Sequence, residues 1–388
     1  MTRHGQINAT KMSNCHFSVT KCNYSMSPAT PYSNFAGDNT VKLNPIFAAC
    51  AVTLGLASAM PAQATDIEVY GRAHISTDIL GDGSDYGLNV SSNSSRLGFR
   101  AKHQVAPGLE AFVQLEQNVR FDQRGGDFAT RDSFAGLRGS WGQMRWGSFD
   151  TPGKKLRADA DVFNDRLGDL RNVAQGPGMN YDQTTGLNSD PNYDQRFRNS
   201  LHYRSPSFNN ITFDLQYSPH NQTDATTEND FQAISVALNY EANGLWLAGS
   251  YEMTEGAELD PSAMRLAASY WFTDQWQGIT FYQSSSDMLF GDRDVFGGGF
   301  KYLFGDYGLM GQAYQASGND LDDTAATLFA LGLDYYMHDD FTLYAILGLT
   351  DNDDQANFLV SGGGRDVKLT PAVGNQATGL SLGFIYNF

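Results

Sequence analysis

Cysteine stops early: the chain has three, Cys15, Cys22 and Cys50, and none follows residue 50. The stretch beyond can hold no disulfide, no thiolate metal site and no cysteine nucleophile. Basic charge is also scarce, with 26 Lys and Arg against 43 Asp and Glu, so nucleic acid is not an expected partner. Long apolar runs are rarer still. The one that stands out, Pro45 to Met60, is too short and too poorly flanked to span a membrane as a helix. Lys42 precedes it and Ala62-Gln63-Ala64 follows, which is the layout of a secretory signal with a small-x-small cleavage site.

That layout divides the chain into an expected untranslated or disordered leader over 1–40, a signal peptide over 41–64 and a folded region over 65–388. All three cysteines then fall outside the folded region, which keeps 22 basic and 42 acidic side chains, a net charge of about −20. Catalytic signatures are missing as well: no phosphate-cradling glycine loop, no nucleophile elbow and no His-Glu metal helix. Asp351, Asp353 and Asp354 lack the glycine and closing Glu of a calcium hand. No catalytic residue, metal or cofactor is expected.

What is present is alternation. Leu380, Leu382, Phe384, Tyr386 and Phe388 recur at two-residue intervals, so a strand here carries one apolar stripe, while Ser381, Gly383 and Asn387 point the other way. From Ile67 the order repeats: Ile67, Val69, Gly71, Ala73 and Ile75 against Glu68, Tyr70, Arg72, His74, Ser76 and Asp78. Sixteen such stretches can be traced, near 67–80, 94–105, 108–119, 130–140, 142–149, 196–205, 210–218, 231–241, 244–253, 263–273, 276–286, 294–304, 307–316, 325–337, 340–350 and 377–388. Each is near the roughly 9–11 residues that a tilted membrane-spanning strand needs. Short breaks, as at Ala106-Pro107 or Gly305-Asp306, alternate with long polar ones at 81–93, 151–195, 219–230, 254–262 and 351–376. The pattern predicts an all-β, transmembrane, antiparallel up-and-down barrel of sixteen strands. So wide a barrel cannot be filled by side chains. Its lumen is therefore aqueous, and its apolar stripes face lipid.

The polar faces then line the lumen, and in the first third they are basic: Arg72, Arg96, Arg100, Lys102, Arg145, Arg196, Arg198, His202 and Arg204. Alternation fails over 130–140 and does not place Arg131. The break from Thr151 to Gln195 is too long for an ordinary connection. It carries Asp159, Asp161, Asp165, Asp169, Asp182, Asp190 and Asp194 among Lys154, Lys155, Arg157, Arg166 and Arg171. Folded inward, it would oppose the basic wall across a narrow opening, as charged rings filter ions.

YGRAHIST at 70–77, SSRLGFRAKH at 94–103, PGLEAFVQLE at 107–116, RDSFAGLRGSWGQMRWGSFDTP at 131–152, RNSLHYRSP at 198–206 and the closing LSLGFIYNF resemble successive blocks of the general Gram-negative porins. The resemblance implies a homotrimer of barrels in the cell outer membrane, among lipid and lipopolysaccharide, each passing small hydrophilic solutes and ions by passive diffusion. It implies assembly through the barrel-assembly machinery at Phe388 and a third loop folded into the lumen. Arg72, Arg96 and Arg131 would stand in the basic cluster facing that loop; no motif fixes which loop acids oppose them, and Asp159, Asp161 and Asp165 are the candidates. The chain departs from many relatives at Ser148, where they have a basic residue. Two other functions compete: a substrate-selective channel, which would line a track with aromatics such as Tyr70, Phe112 and Trp246, and an outer-membrane adhesin or enzyme. N-terminal sequencing of protein recovered from membranes should begin at Thr65-Asp66-Ile67, and a chain that retains residues 41–64 would contradict the assignment.

Overall fold

The computed structural model describes residues 66–122, 128–175, 193–222, 231–256, 259–288 and 290–388. The leader, the signal segment, Asp182 and Asp190 lie outside them. The expected alternation becomes one antiparallel sheet of β1 (Asp66–Gly81), β2 (Tyr86–Ser92), β3 (Arg96–Ala106), β4 (Leu109–Asn118), β5 (Ser133–Gly139), β6 (Gly142–Asp150), β7 (Arg196–Arg204), β8 (Ile211–Ser218), β9 (Ala233–Ala242), β10 (Leu245–Thr254), β11 (Ser262–Trp271), β12 (Trp276–Ser286), β13 (Arg293–Phe304), β14 (Tyr307–Ala316), β15 (Ala326–His338), β16 (Phe341–Asn352) and β17 (Ala377–Asn387). From β3 onwards consecutive strands pair, and β17 returns to β1 from Arg72↔Asn387 to Gly81↔Thr378.

Both β2 and β3 pair with β1, β3 against Asp66–Arg72 and β2 against Ile75–Gly81. They are two halves of one wall strand, broken where Ser94 takes φ 53°. The barrel therefore has sixteen walls. The break expected over 81–93 is corrected here: only its first residues form a loop, and Tyr86–Ser92 is strand. The segment does alternate, Tyr86, Leu88 and Val90 against Gly87, Asn89 and Ser91, but it is only seven residues long and follows the polar turn at Asp82–Asp85.

Closure leaves no backbone edge for lipid to meet, which is the requirement that selects barrels over open sheets. The terminal residue completes it: the Gly71 N–H donates to the Phe388 carbonyl at 2.8 Å and the Phe388 N–H to Gly71 at 3.1 Å. Outward residues are apolar and exposed, among them Ile67, Val69, Leu266, Leu331, Leu347 and Leu382. At the end with the short turns the aromatics stack into a girdle, Trp276 on Tyr302 at 4.4 Å and Tyr307 on Tyr335 at 5.0 Å. Asn243 and Gly244 show why these turns are tight: both take positive φ, 51° and 77°, as a two-residue hairpin with the twist of its strands demands.

The buried core lies inside the barrel, on one side only. Helix α1 (Pro152–Asp159) and the short helix α2 (Arg171–Ala174) bring Leu156, Phe163, Leu167 and Leu170 against inward Ala248, Ala267, Phe281, Met310, Tyr314 and Ala330. Alanine and glycine on that wall make the room. A side chain on Gly332 would sit 2.7 Å from the Phe163 ring, and one on Gly348 would meet Val360 and Leu167 at 2.7 and 3.1 Å. The last long loop adds Ala356, Phe358 and Val360 to the same cluster. Gly332→Leu should cost about 1–3 kcal/mol by overpacking. The check is the temperature at which the compact barrel band is lost on an unheated gel; no change relative to the parent would contradict this packing.

Candidate functional site

The loop is anchored by charge as well as by packing. Thr151 caps α1, its hydroxyl accepting from the Lys154 N–H at 3.1 Å, and the same hydroxyl donates a short bond to Glu252 of β10. Glu252 also accepts from the Asp194 N–H at 2.6 Å, so one buried carboxylate ties the two ends of the loop to the wall. Arg157, 1% exposed, reaches Asp161, Asp169 and Asp194 at 3.6, 3.4 and 3.3 Å, and Arg265 of β11, fully buried, meets Asp194 at 3.1 Å. Arg166 grips Asp334 of β15 at 2.7 Å. Buried ions are tolerated only when paired and hydrogen-bonded in this way.

With the loop fixed to that side, two open cavities remain: one of about 860 Å³ towards the long-loop end against β1 and β3–β7, and one of about 840 Å³ towards the short-turn end against β6–β12. Arg145, Asp150, Lys155 and Asp159 line both, which places the waist between β6 and the outer face of α1.

The upper cavity gathers most of the expected basic residues. Its wall supplies Arg72, Arg96, Arg100, Arg131, Arg145 and Arg196; the loops add Arg120, Lys154, Lys155, Arg157, Arg171 and Arg365. Against these twelve cations stand six carboxylates: Glu116, Asp132, Asp150, Asp159, Asp165 and Asp366. Glu116, which alternation places inward without giving it a role, is the buried hinge of the wall cluster. It takes Arg131 Nε at 2.6 Å, Tyr70 Oη at 3.0 Å and Arg96 at 3.7 Å. Arg196 bridges Asp132 and Asp150 at 2.6 and 3.0 Å. Arg100 pairs with Glu68 at 3.6 Å and lies 3.8 Å over the Tyr70 ring.

Two expectations change. Arg198 is exposed and lines neither cavity, at the point where Asn199 takes φ 47° and the pairing with β6 shifts register between Gly147 and Phe149. The opposing loop acids are also fewer than expected. Asp159 stands exposed at the waist, paired with Lys155 at 3.2 Å. Asp161 turns away from the lumen, accepting from Gln312 at 3.0 Å and from the Leu170 N–H at 2.8 Å. Asp165 is clasped by Arg171 at 2.5 Å and Arg72 at 3.7 Å. Burial alone would raise its carboxyl, but Arg171, Arg72 and Arg131 outweigh that and hold it well below the usual carboxylate range. Asp366, on the last loop, is pushed up to about 6 by burial and by the neighbouring Asp122.

Arg265 and Arg365 were not singled out by the sequence. Arg265 shares its face with Ala267 and Ser269, so alternation could have placed it inward. Arg365 sits in a loop with no period and pairs with Asp78 of β1.

The family model for Gram-negative porins matches residues 48–355. Among curated relatives, the major outer membrane protein P.IB of Neisseria gonorrhoeae is 26% identical over 204 residues, 50% of this chain. The chain spans about half of that relative, 54% of its length. An outer membrane porin protein of Bordetella pertussis is 26% identical over 334 residues, 72% of this chain and 83% of its own. Among solved structures, an anion-selective porin from Comamonas acidovorans superposes with a TM-score of 0.69 at 19% identity, over 84% of this chain and all of that one.

Arg157→Ala leaves Asp161, Asp169 and Asp194 short of a buried partner, at about 3–5 kcal/mol of loop anchoring. Trypsin added to the folded barrel should then cut at Lys154, Lys155, Arg166 or Arg171, which stay protected in the parent. Equal protection in both would contradict the anchoring role.

Proposed function

We infer the activity from one established premise: the chain belongs to the Gram-negative porin family. The reading is an outer-membrane channel through which small hydrophilic solutes and ions diffuse passively down their gradients. Such transport needs no covalent step and no cofactor, only width and a field. The carrying observation is the waist. Two large cavities meet there, between a pinned loop and the barrel wall, and in the upper one cations outnumber carboxylates twelve to six.

That excess sets the sign. A guanidinium beside a narrow aqueous path attracts anions and repels cations over about a Debye length, roughly 8 Å at physiological salt. The channel therefore prefers anions, although residues 65–388 are strongly acidic as a whole. Arg96, Arg131 and Arg145 on the wall and Lys155 on α1 supply the field, with Arg72, Arg100 and Arg196 beside them; Asp159 opposes them across the opening. A homotrimer in lipid and lipopolysaccharide, assembled through the Phe388 strand, fits the outward apolar stripes.

Refolded protein in planar bilayers should give large, stepwise, ohmic currents with an anion-side reversal potential under a salt gradient. Arg96→Ala and Arg131→Ala should each move that potential towards cations; absence of any current from a correctly folded barrel would sink the reading. Acidity supplies a second check. Asp366 is ionised at pH 7 and becomes neutral as pH falls through about 6, which removes a negative charge from the lumen. Anion preference should therefore rise between pH 7 and 5, and Asp366→Asn should show the raised preference at both values. A step that persists in this variant would contradict the assignment.

A further inference from the structure

Four inward rings run edge to face across four neighbouring strands of the basic wall. Phe112 of β4 meets Phe134 of β5 at 6.1 Å, Phe134 meets Phe149 of β6 at 5.4 Å, and Phe149 meets His202 of β7 at 5.8 Å. Phenyl rings facing a water-filled lumen lose the burial that normally justifies them. Here guanidiniums cover part of them: Arg138 lies 5.4 Å from the Phe112 ring, and Arg145 lies 4.9 and 4.3 Å from Phe134 and Phe149. Phe149 is fully buried, whereas Phe112 and Phe134 stay partly exposed. Those two line a side cavity of about 560 Å³ with Arg100, Arg138 and Arg145. That is the size of a small-molecule site.

Arg145 differs from its neighbours. Arg100 and Arg138 have carboxylate partners, Glu68 at 3.6 Å and Glu110 at 2.5 Å. Among the described residues no carboxylate lies within ion-pair distance of Arg145. Its Nε–H donates to His202 Nδ1 at 3.3 Å, so that ring nitrogen carries the lone pair, and Nε2 holds the proton and donates to Asp214 at 2.9 Å. The imidazole is neutral in this arrangement, and the Arg145 charge is left for something else. Arg145 also lines the upper and lower cavities, so every solute that crosses the waist passes it.

We propose that this side cavity is a subsite for monocarboxylates with a flat aromatic body, the carboxylate on Arg145 and the ring on Phe112 and Phe134. The proposal rests on the channel reading and deepens it. A carboxylate matches the planar guanidinium fork, and an arene matches the offset and edge-on contacts that phenyl rings favour. Asp66 and Glu68 also line the cavity. Each is already paired, Asp66 with Lys102 and Glu68 with Arg100, both at 3.6 Å, which leaves Arg145 as the cation for a single carboxylate.

The test measures block of the chloride current by benzoate and by acetate at equal ionic strength, each expressed as a half-blocking concentration against that variant's own current. Wild type should give a saturable block with benzoate effective at about a tenth of the acetate concentration. Phe112→Ala with Phe134→Ala should bring the ratio close to one, Arg145→Gln should weaken block by both anions, and Trp246→Ala, on β10 in the lower cavity, should keep the wild-type ratio. A wild-type ratio near one, or a double variant that keeps the tenfold difference, overturns the subsite while leaving the channel intact. Absence of chloride current from folded wild-type protein overturns both.

Discussion

Leu156, Phe163 and Leu167 leave the loop after β6 and bury themselves against alanines and glycines on the inner face of β10–β17. Everything else about the lumen follows from that attachment. A sixteen-stranded barrel is too wide to exclude anything by size alone. By filling one half of the interior, the loop turns a broad pipe into two cavities that share a waist, and it decides which wall a solute meets. The apolar contacts supply the attachment energy, and the Arg157–Asp194–Arg265 network with Glu252 fixes its register.

The half left open is the basic one. Carboxylates are plentiful in the chain, yet many of those near the waist are already engaged: Glu116 by Arg96 and Arg131, Asp132 and Asp150 by Arg196, Asp165 by Arg72 and Arg171. Paired acids hold arginines in place without cancelling all of them. The net charge of the chain and the charge lining its upper cavity therefore have opposite signs. The long loops carry acids such as Asp353 and Asp354 that stand exposed, whereas the upper cavity is lined mostly by cations.

Much of this was legible from residue order. Period-two alternation gave most of the strands to within a residue or two and β5 to within three, because in lipid one face must be apolar and in a wide lumen the other must be wet. Arg72, Arg96, Arg100, Arg145 and Arg196 followed from the same rule. Arg198 did not, because it stands next to a local irregularity at Asn199 that leaves no mark in composition. Tyr86–Ser92 was missed although Tyr86, Leu88 and Val90 alternate with Gly87, Asn89 and Ser91, because so short a run beside a polar turn reads as loop. Nor could spacing say which loop acids face the water: Asp159 and Asp161 are two residues apart, yet one stands at the waist and the other is folded behind α1. The row of small inward residues, Ala248, Ala267, Ala330, Gly332 and Gly348, was the available signal that something packs there.

The central claim is that the loop is pinned to one wall and presents its other face to a positive lumen. Residues 65–388 contain no cysteine, so single thiols can be placed on α1 without background. Ala158 lines the upper cavity, and Ala160, two residues on, is fully buried against the wall. The decisive measurement is the rate at which Ala158→Cys and Ala160→Cys react, in the folded barrel, with a negatively and a positively charged thiol reagent. The account predicts reaction at 158 and protection at 160, with the anionic reagent favoured at 158 relative to the same pair of reagents on a free thiol. Equal reactivity at both positions, or a preference for the cationic reagent at 158, would contradict it.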